Sequence, residues 1–306
     1  MELIHGFESL PPLSKKTAVT IGNFDGVHLG HRKILQFLVK EAKRSDLFSL
    51  VLTFSPHPDT ILGKDKIRLI QTLEQRVESI TNIGVHYILL TPFNREFYAL
   101  SGKDFVNKIL AATLKAQEVV VGENFRFGKN REGDISILRA LGSQFRLDVH
   151  EIPSVVKNGK TVSSSLIRDL LFEGQIEKAN SLLGRHYEIK GKVVRGSSRG
   201  KSLGFPTANI KTENEIIPLG AYITEVKVDM HSFPSMTNAG YRPTFGVYEM
   251  QIESFLINFH QNLYGKALTI EFIKKIRDEI KFRTPEELTA QLKKDLEVTK
   301  AYFQFP

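Results

Sequence analysis

Residues Thr17 to His31 read TAVTIGNFDGVHLGH, and the fold of the first half of the chain follows from them. Val19 and Ile21 belong to a short β-prone run that ends at Gly22, after which Ile34, Leu35, Leu38 and Val39 recur at helical spacing. The segment reads as strand, tight glycine turn, helix. The first turn of such a helix presents unpaired backbone N–H groups and the positive end of a dipole, so a polyphosphate suits it. Gly26 and Gly30 leave room there for close backbone approach. His28 and His31, three apart, fall on one helix face and both can donate to one phosphate chain. Read alone, a histidine pair at this spacing is more often solvated surface or half of a metal site. The chain has no cysteine and no third ligand nearby, which argues against zinc.

At 306 residues with 41% hydrophobic content the chain is long enough for two domains, each with its own core. The missing cysteines exclude disulfides, thiolate nucleophiles and cysteine-bound metals, and fit a reducing cytosol. The start, MELIHGFESLPPL, lacks a basic segment followed by a long apolar core, so no secretory signal is expected. No apolar run approaches the roughly 20 residues needed to cross a bilayer; the expectation is a soluble, cytoplasmic protein without a membrane partner. A net charge of +8 attracts anions. There is no continuous Lys/Arg block and no nucleic-acid module string, which puts nucleotide substrates ahead of RNA or DNA. The oligomeric state, homo-oligomer included, is left open.

Leu47 to Phe54 (LFSLVLTF) reads as a buried strand closed by Ser55-Pro56-His57-Pro58, where the prolines forbid continuation. Gln71 to Ile83 has helical spacing, His86 to Thr91 is a short apolar strand, Lys103 to Leu114 is helical and Glu118 to Val121 is a further strand. This alternation implies a parallel sheet with helices on both faces and ligands outside the carboxyl ends of its strands. Gly122 to Asp134 (GENFRFGKNREGD), at that edge, gathers three glycines, two phenylalanines and three cations. Phe125 and Phe127 flank Arg126, which suits stacking on a flat ring while the cations face phosphate; the alternative is a surface turn with both rings in the core. Thr161 to Arg168 (TVSSSLIR) opens another helix. One of Ser163 to Ser165 serves as its N-cap, and three hydroxyls with Arg168 a turn later form a second anion-binding helix start.

The string GNFDGVHLGH resembles the H-x-G-H signature of the nucleotidyltransferase superfamily. With TFSPHP, VGENFRFGKNREGD and VSSSLIR in that order, the chain resembles the amino-terminal FMN adenylyltransferase module of bacterial bifunctional riboflavin kinase/FAD synthetases. The resemblance implies that His28, His31, Ser164 and Arg168 handle the ATP phosphates, with Ser165 beside them. It further implies that Gly22, Asn23, Phe24, Asp25, Gly26, Gly30, Asn124, Phe125 and Arg126 shape the flavin and nucleotide pocket. V-S-S-S replaces the usual I-S-S-[ST] and keeps the hydroxyl.

Helical patterns end at Glu173-Gly174 and, after Ile176, Ala179, Leu182 and Leu183, at Gly184. The expected domains are therefore residues 1–183 and 184–306. Beyond the boundary, Tyr187 to Val194, Tyr222 to Val228, Ser254 to Phe259 and Leu268 to Ile273 are β-prone runs separated by glycine and proline, as in a small antiparallel barrel. Thr284 to Phe303 begins Thr-Pro-Glu-Glu, a capped helix start, and carries Leu288, Leu292 and Leu296 on one side.

Gly191 to Asn209 (GKVVRGSSRGKSLGFPTAN) is the second stretch with chemistry. Glycines 191, 196, 200 and 204 permit a folded-over loop, and Arg195, Arg199 and Lys201 make it basic, although it is not a Walker A pattern. Its end, Pro206-Thr207-Ala208-Asn209, resembles the P-T-A-N motif of riboflavin kinases, which implies that Thr207 and Asn209 serve Mg2+ and ATP phosphate. Hydroxyl and amide oxygens are reasonable hard ligands for Mg2+. The same resemblance extends through NAGYRPTF (Asn238 to Phe245), implies ligand contacts from Gly191, Lys192, Gly204, Pro206 and Arg242, and makes Glu253 the base for the riboflavin 5′-hydroxyl. Phe255 and Asn258 stand where the family often has histidine and aspartate; Ala239 and Ala221 replace the usual Ile and Val.

The implied fold class is α/β: a Rossmann-like nucleotidyltransferase domain with a parallel sheet, then a small antiparallel β-barrel riboflavin kinase domain with a C-terminal helix. The implied activity is phosphorylation of riboflavin to FMN and adenylylation of FMN to FAD, with ATP as co-substrate and Mg2+ as cofactor. The alternatives are an adenylyltransferase with a weakened or lost kinase step, because of Phe255 and Asn258, and a flavin-responsive RNA-binding regulator.

Overall fold

The structure, a computed structural model, describes residues 1–61, 67–196, 204–244 and 247–305. It divides into two units, Met1–Ser164 and Ser165–Pro306. In the first, β1 (Glu2–His5), β2 (Thr17–Ile21), β3 (Phe48–Phe54), β4 (Tyr87–Thr91), β5 (Ala116–Gly122) and β6 (Asp148–Ile152) form one sheet in the order β1-β4-β3-β2-β5-β6. Every neighbouring pair is parallel. Because helices cover both faces, central strands are apolar almost throughout, and β2 is buried at every position. Leu35, Leu38 and Ala42 of the Leu29–Arg44 helix and Ile80 of the Leu73–Thr81 helix pack on one face with Ala18, Val51, Ile88 and Val120. Val106, Leu110 and Leu138 join Val19, Leu50, Leu52 and Leu89 in the core cluster of the other. Each such side chain contributes roughly 1.5–3 kcal/mol on burial, so the loops at the carboxyl edge stand on a firm platform.

The sequence pattern predicts four of the six strands. The other two, β1 and β6, are the sheet's edges, and their residues ELIH and DVHEI are too polar to read as strands. The predicted Lys103–Leu114 helix is wound wider than expected: Gly102–Asp104 leads into a π-helix over Phe105–Thr113, and the Leu114 N–H donates to the Ile109 carbonyl at 2.9 Å. Val156–Lys157 (β7) and Lys160–Thr161 (β8) pair as a small hairpin around Asn158-Gly159.

In the second unit, helices Ser164–Phe172 and Ile176–Leu183 lead into β9 (Tyr187–Val194), β10 (Ala208–Thr212), β11 (Gly220–Val228), β12 (His231–Thr244), β13 (Val247–Leu256) and β14 (Ala267–Arg277). These strands close an antiparallel barrel in the order β10-β13-β12-β11-β14-β9. The pattern reading misses β10, which is short and half polar, and β12, which contains Pro234 and Pro243. A chain of buried hydroxyls joins Ser254, Thr237, Thr224 and Ser235 at 2.6, 2.7 and 2.8 Å. Asn180 ties the second helix to the barrel, its amide donating to the Phe272 carbonyl at 2.8 Å and accepting the Tyr187 N–H at 2.6 Å. The last helix, Pro285–Phe303, is capped by Thr284 and held by Arg277, whose Nε and Nη2 donate to Asp295 Oδ2 at 3.0 and 2.8 Å. Its predicted leucine stripe is only half-buried; the buried positions are Asp295 and Thr299.

Candidate active sites

From the end of β2 the chain turns through Gly22 to Val27 into the Leu29–Arg44 helix. Phe24 (φ 52°), Gly26 (φ 82°) and Val27 (φ 37°) are all left-handed. For a phenylalanine and a valine this costs on the order of 1–3 kcal/mol each, and burial of both side chains in the core beneath the helix holds them there. His28 is the N-cap of the helix rather than a residue within it, and its Nδ1 accepts the His31 N–H at 3.4 Å. A neutral imidazole accepting at Nδ1 carries its proton on Nε2. The two rings stack at 3.7 Å with a 17° interplanar angle, and Phe24 meets His31 edge-on at 5.2 Å. The histidines therefore face one way, by capping and stacking instead of by the expected i, i+3 spacing within a helix.

The glycines also have a different cause from the one expected. A Cβ on Gly26 would lie 2.9 Å from Ile70 Cδ1, and one on Gly30 would lie 3.1 Å from the His28 ring. The protein's own side chains occupy the space these glycines free. What the helix start does offer is an orphan: His31 Nδ1 is sealed from solvent and has no hydrogen-bond partner among the described residues. Burial, and secondarily the neighbouring His28, hold the His31 pKa well below its ordinary 6.5.

Asp25 is buried, and its carboxylate accepts the Ile70 N–H at 3.0 and 3.2 Å and the Gln71 N–H at 3.4 Å. Those bonds engage it in bracing the turn. Its carbonyl accepts from Ser164 Oγ at 2.9 Å, which brings the start of VSSSLIR against the signature turn. Ser165 and Arg168 continue along the Ser164–Phe172 helix, within the second unit.

Beside the turn lies a cavity of about 280 Å³. Gly22, Asn23, Asn124, Phe125 and Arg126 line it, with Phe54 of TFSPHP and Arg131 of GENFRFGKNREGD, and with Phe93, Phe97, Tyr98 and Phe105, which sequence reasoning did not single out. Phe54 meets Phe93 at 5.4 Å and Phe97 at 5.3 Å, both edge-on, so the wall is a continuous aromatic surface. The available signal was TPFNREFYAL, with Phe93, Phe97 and Tyr98 packed into six residues just past the carboxyl end of β4. In GENFRFGKNREGD the two rings differ: Phe127 is buried in the core, as the surface-turn reading has it, while Phe125 is half-buried, lines the cavity and stacks on Phe127 at 5.7 Å. Arg126 pairs with Asp134 at 3.3 Å. His57 of TFSPHP places Nε2 2.9 Å from Asn23 Nδ2. Neither His28 nor His31 is among the residues lining this cavity.

In the barrel, Asn209 on β10 stands directly opposite Glu253 on β13, which stands opposite Asn238 on β12. Directly paired residues project from the same face of a sheet, so an amide, a carboxylate and a second amide form one row. Thr207 and Pro206 immediately precede β10, after a turn in which Gly204 has φ 82°. A Cβ on Gly196 would lie 2.2 Å from Asn209 Nδ2, so the chain beyond β9 runs against that amide. Gly191 and Lys192 belong to β9 itself and not to a folded-over loop; a Cβ on Gly191 would strike the Lys211 carbonyl at 2.6 Å. Arg199, Gly200, Lys201, Phe245 and the Arg242 side chain lie outside the described residues.

The two family departures sit in different surroundings. The Phe255 ring meets the buried Phe205 edge-on at 5.4 Å, directly behind Pro206-Thr207. Asn258 is exposed at φ 58°, a conformation that asparagine and aspartate both tolerate.

A parallel sheet with a histidine-capped helix start, and a barrel with a threonine–asparagine segment facing a carboxylate, define the class: an enzyme with two nucleotide-handling units in one chain. Residues 10–166 match the family described as FAD synthetase and residues 183–303 match riboflavin kinase. The bifunctional riboflavin kinase/FMN adenylyltransferase of Buchnera aphidicola subsp. Schizaphis graminum is 37% identical over 310 residues, covering 99% of both chains. Those of Escherichia coli K12 and Bacillus subtilis 168 are 35% and 36% identical, each over 99% of this chain and 98% of theirs. A solved Streptococcus pneumoniae structure, described as a macrolide-efflux protein, superposes with a TM-score of 0.90 at 27% identity over 98% of this chain and 99% of its own. The chain belongs to the bifunctional riboflavin kinase/FMN adenylyltransferase family, an enzyme of FAD biosynthesis with both catalytic domains. Among the described residues no helix is long and apolar enough to cross a membrane.

Proposed function

We propose that residues 184–306 phosphorylate riboflavin and residues 1–183 adenylylate the resulting FMN, each with its own ATP, in the cytoplasm. The observation that carries the reading is the register of β10 against β13, which sets Asn209 of P-T-A-N opposite Glu253. In the kinase step the riboflavin 5′-oxygen attacks the γ-phosphorus, ADP leaves, and Glu253 takes the hydroxyl proton. Thr207 and Asn209 would hold Mg2+ through oxygen donors. Among the described residues no three His, Asp or Glu side chains gather as a metal cage, and so sparse a donor set suits a cation that shares its coordination with nucleotide phosphates. When bound, Mg2+ supplies electrostatic screening of the phosphoryl oxygens.

In the second step an FMN phosphate oxygen attacks the α-phosphorus of ATP and pyrophosphate leaves. The nucleophile is already an anion and needs no general base. It needs relief from repulsion, which we assign to N–H donation by His28 and His31, to the Ser164 and Ser165 hydroxyls and to the Arg168 guanidinium. Charges about 4 Å apart interact by about 1 kcal/mol in bulk water and about 4 kcal/mol at an effective dielectric near 20, so an enclosed site strengthens each contact. The aromatic cavity takes the flavin ring, with Asn23 and Asn124 as hydrogen-bonding partners along its edge. Lys192, Gly204, Pro206 and Arg242 belong to the kinase site in this reading.

Glu253→Gln is expected to slow FMN formation by roughly 10²- to 10⁴-fold while adenylylation of supplied FMN persists. His31→Ala combined with Arg168→Ala should do the reverse. Equal loss of both steps in either variant contradicts the assignment.

A further inference from the structure

Arg76 belongs to no motif, yet it is 4% exposed on the Leu73–Thr81 helix. A buried guanidinium is costly unless its N–H groups are used. Here Nη1 donates to the Asn23 carbonyl and Nη2 to the Phe54 carbonyl, each at 2.8 Å, while Nε has no hydrogen-bond partner among the described residues. Burial lowers the Arg76 pKa and the Asp25 carboxylate partly opposes that, so the side chain is a cation kept inside the protein by two backbone oxygens and one anion.

The position of those oxygens gives the arrangement a consequence. Direct pairing of β2 with β3 ends at Ile21 opposite Leu52, followed by one further bond from the Gly22 N–H to the Leu52 carbonyl at 3.1 Å. Past that point the two chains separate, and Asn23 on one side and Phe54 on the other line the aromatic cavity. The guanidinium spans the gap that the ladder leaves. The segment leading into its helix is anchored to the same turn, through the Asp25 carboxylate on the Ile70 and Gln71 N–H groups. Thr53 adds a second donor to the Asn23 carbonyl at 3.3 Å.

We propose that Arg76 is a positioning residue for adenylyl transfer: its planar fork fixes the separation of the Asn23 and Phe54 segments and thereby the width of the crevice that receives the flavin. This rests on reading that cavity as the flavin site. A lysine keeps the charge but is a point donor on a flexible stem and cannot span both carbonyls as a rigid fork.

The test uses the full chain with Arg76→Lys and Arg76→Met, measuring both reactions on each sample below its unfolding temperature; the kinase step reports the amount of competent protein. The expected result is kinase kcat/KM within about twofold of the parent, with KM for FMN in the adenylyl step raised about tenfold or more and KM for ATP changed less. A role confined to folding would leave KM for FMN unaltered in the folded fraction, and that result, in a folded Arg76→Lys or Arg76→Met protein, overturns the proposal. Should both fail to fold, Thr53→Val decides, because it removes the other donor to the same carbonyl at nearly constant volume: a raised KM for FMN supports the proposal and an unchanged one overturns it. If the parent chain itself fails to turn FMN into FAD, the flavin reading fails, which is distinguishable from failure of the Arg76 assignment.

Discussion

At the scale of single residues, the stacked pair His28 and His31 is set by neighbours that a motif does not display. His31 is held neutral by burial and by His28, and the sign of its linkage to stability follows. An unfolded chain takes up a proton on this imidazole near pH 6.5, while the folded chain resists doing so until much lower pH. Its contribution is therefore full above about pH 6.5 and is lost as pH falls through and below that value, with a slope of at most about 1.4 kcal/mol per pH unit. Urea unfolding of the first unit between pH 5 and 8 should show a decline on the acid side that flattens in His31→Gln; an identical decline in that variant contradicts the burial argument. In the barrel, Phe255 supports Phe205 behind Pro206-Thr207, whereas Asn258 serves an exposed turn. Phe255→Ala is thus expected to raise KM for ATP in the kinase step several-fold, and Asn258→Asp to leave that step within about twofold, measured by FMN formation. The H-x-G-H and P-T-A-N strings are legible because their chemistry is short-range. Arg76 is not legible, since an arginine in an amphipathic helix reads as solvent-facing until the carbonyls it meets, 53 and 22 residues away, are known.

Among elements, the patterns that survive in the sequence are those of strands and helices buried on both sides. β2 (TAVTI) and β3 (FSLVLTF) announce themselves by β-prone runs whose only polar members are Ser and Thr, while β1 and β6 are hidden because edge strands need less apolar surface. Prolines obscure β12, although its register against β11 and β13 is continuous. The cavity is the hardest element to foresee: its wall combines the segments after β2, β3, β4 and β5, and the one after β4, which supplies Phe93, Phe97 and Tyr98, carries no recognisable string. Asn180 is a joint between elements, satisfying β9 and β14 with one side chain. Replacing it with alanine removes its bonds to Tyr187, Phe272 and, at 3.4 Å, Ile273, which should cost about 2 kcal/mol. Denaturant titration of the barrel checks this, and a midpoint unchanged from the parent would refute it.

For the whole molecule, the packing division after Ser164 and the domain boundary proposed at residue 183 make different demands on the two linking helices. Ile176, Ala179, Leu182 and Leu183 are buried, and Asn180 on the same helix bonds to the barrel. A fragment beginning at Ser165 should therefore melt higher than one beginning at Gly184; equal melting temperatures would show that the helices add nothing to the barrel. The central claim is that one polypeptide carries two successive reactions on the same vitamin-derived ring. Incubating the intact chain with riboflavin, ATP and Mg2+ and separating the products by chromatography over time tests it directly: FMN should rise first and then give way to FAD. Accumulation of neither flavin nucleotide, or of FMN that is never converted even when supplied in excess, would contradict it.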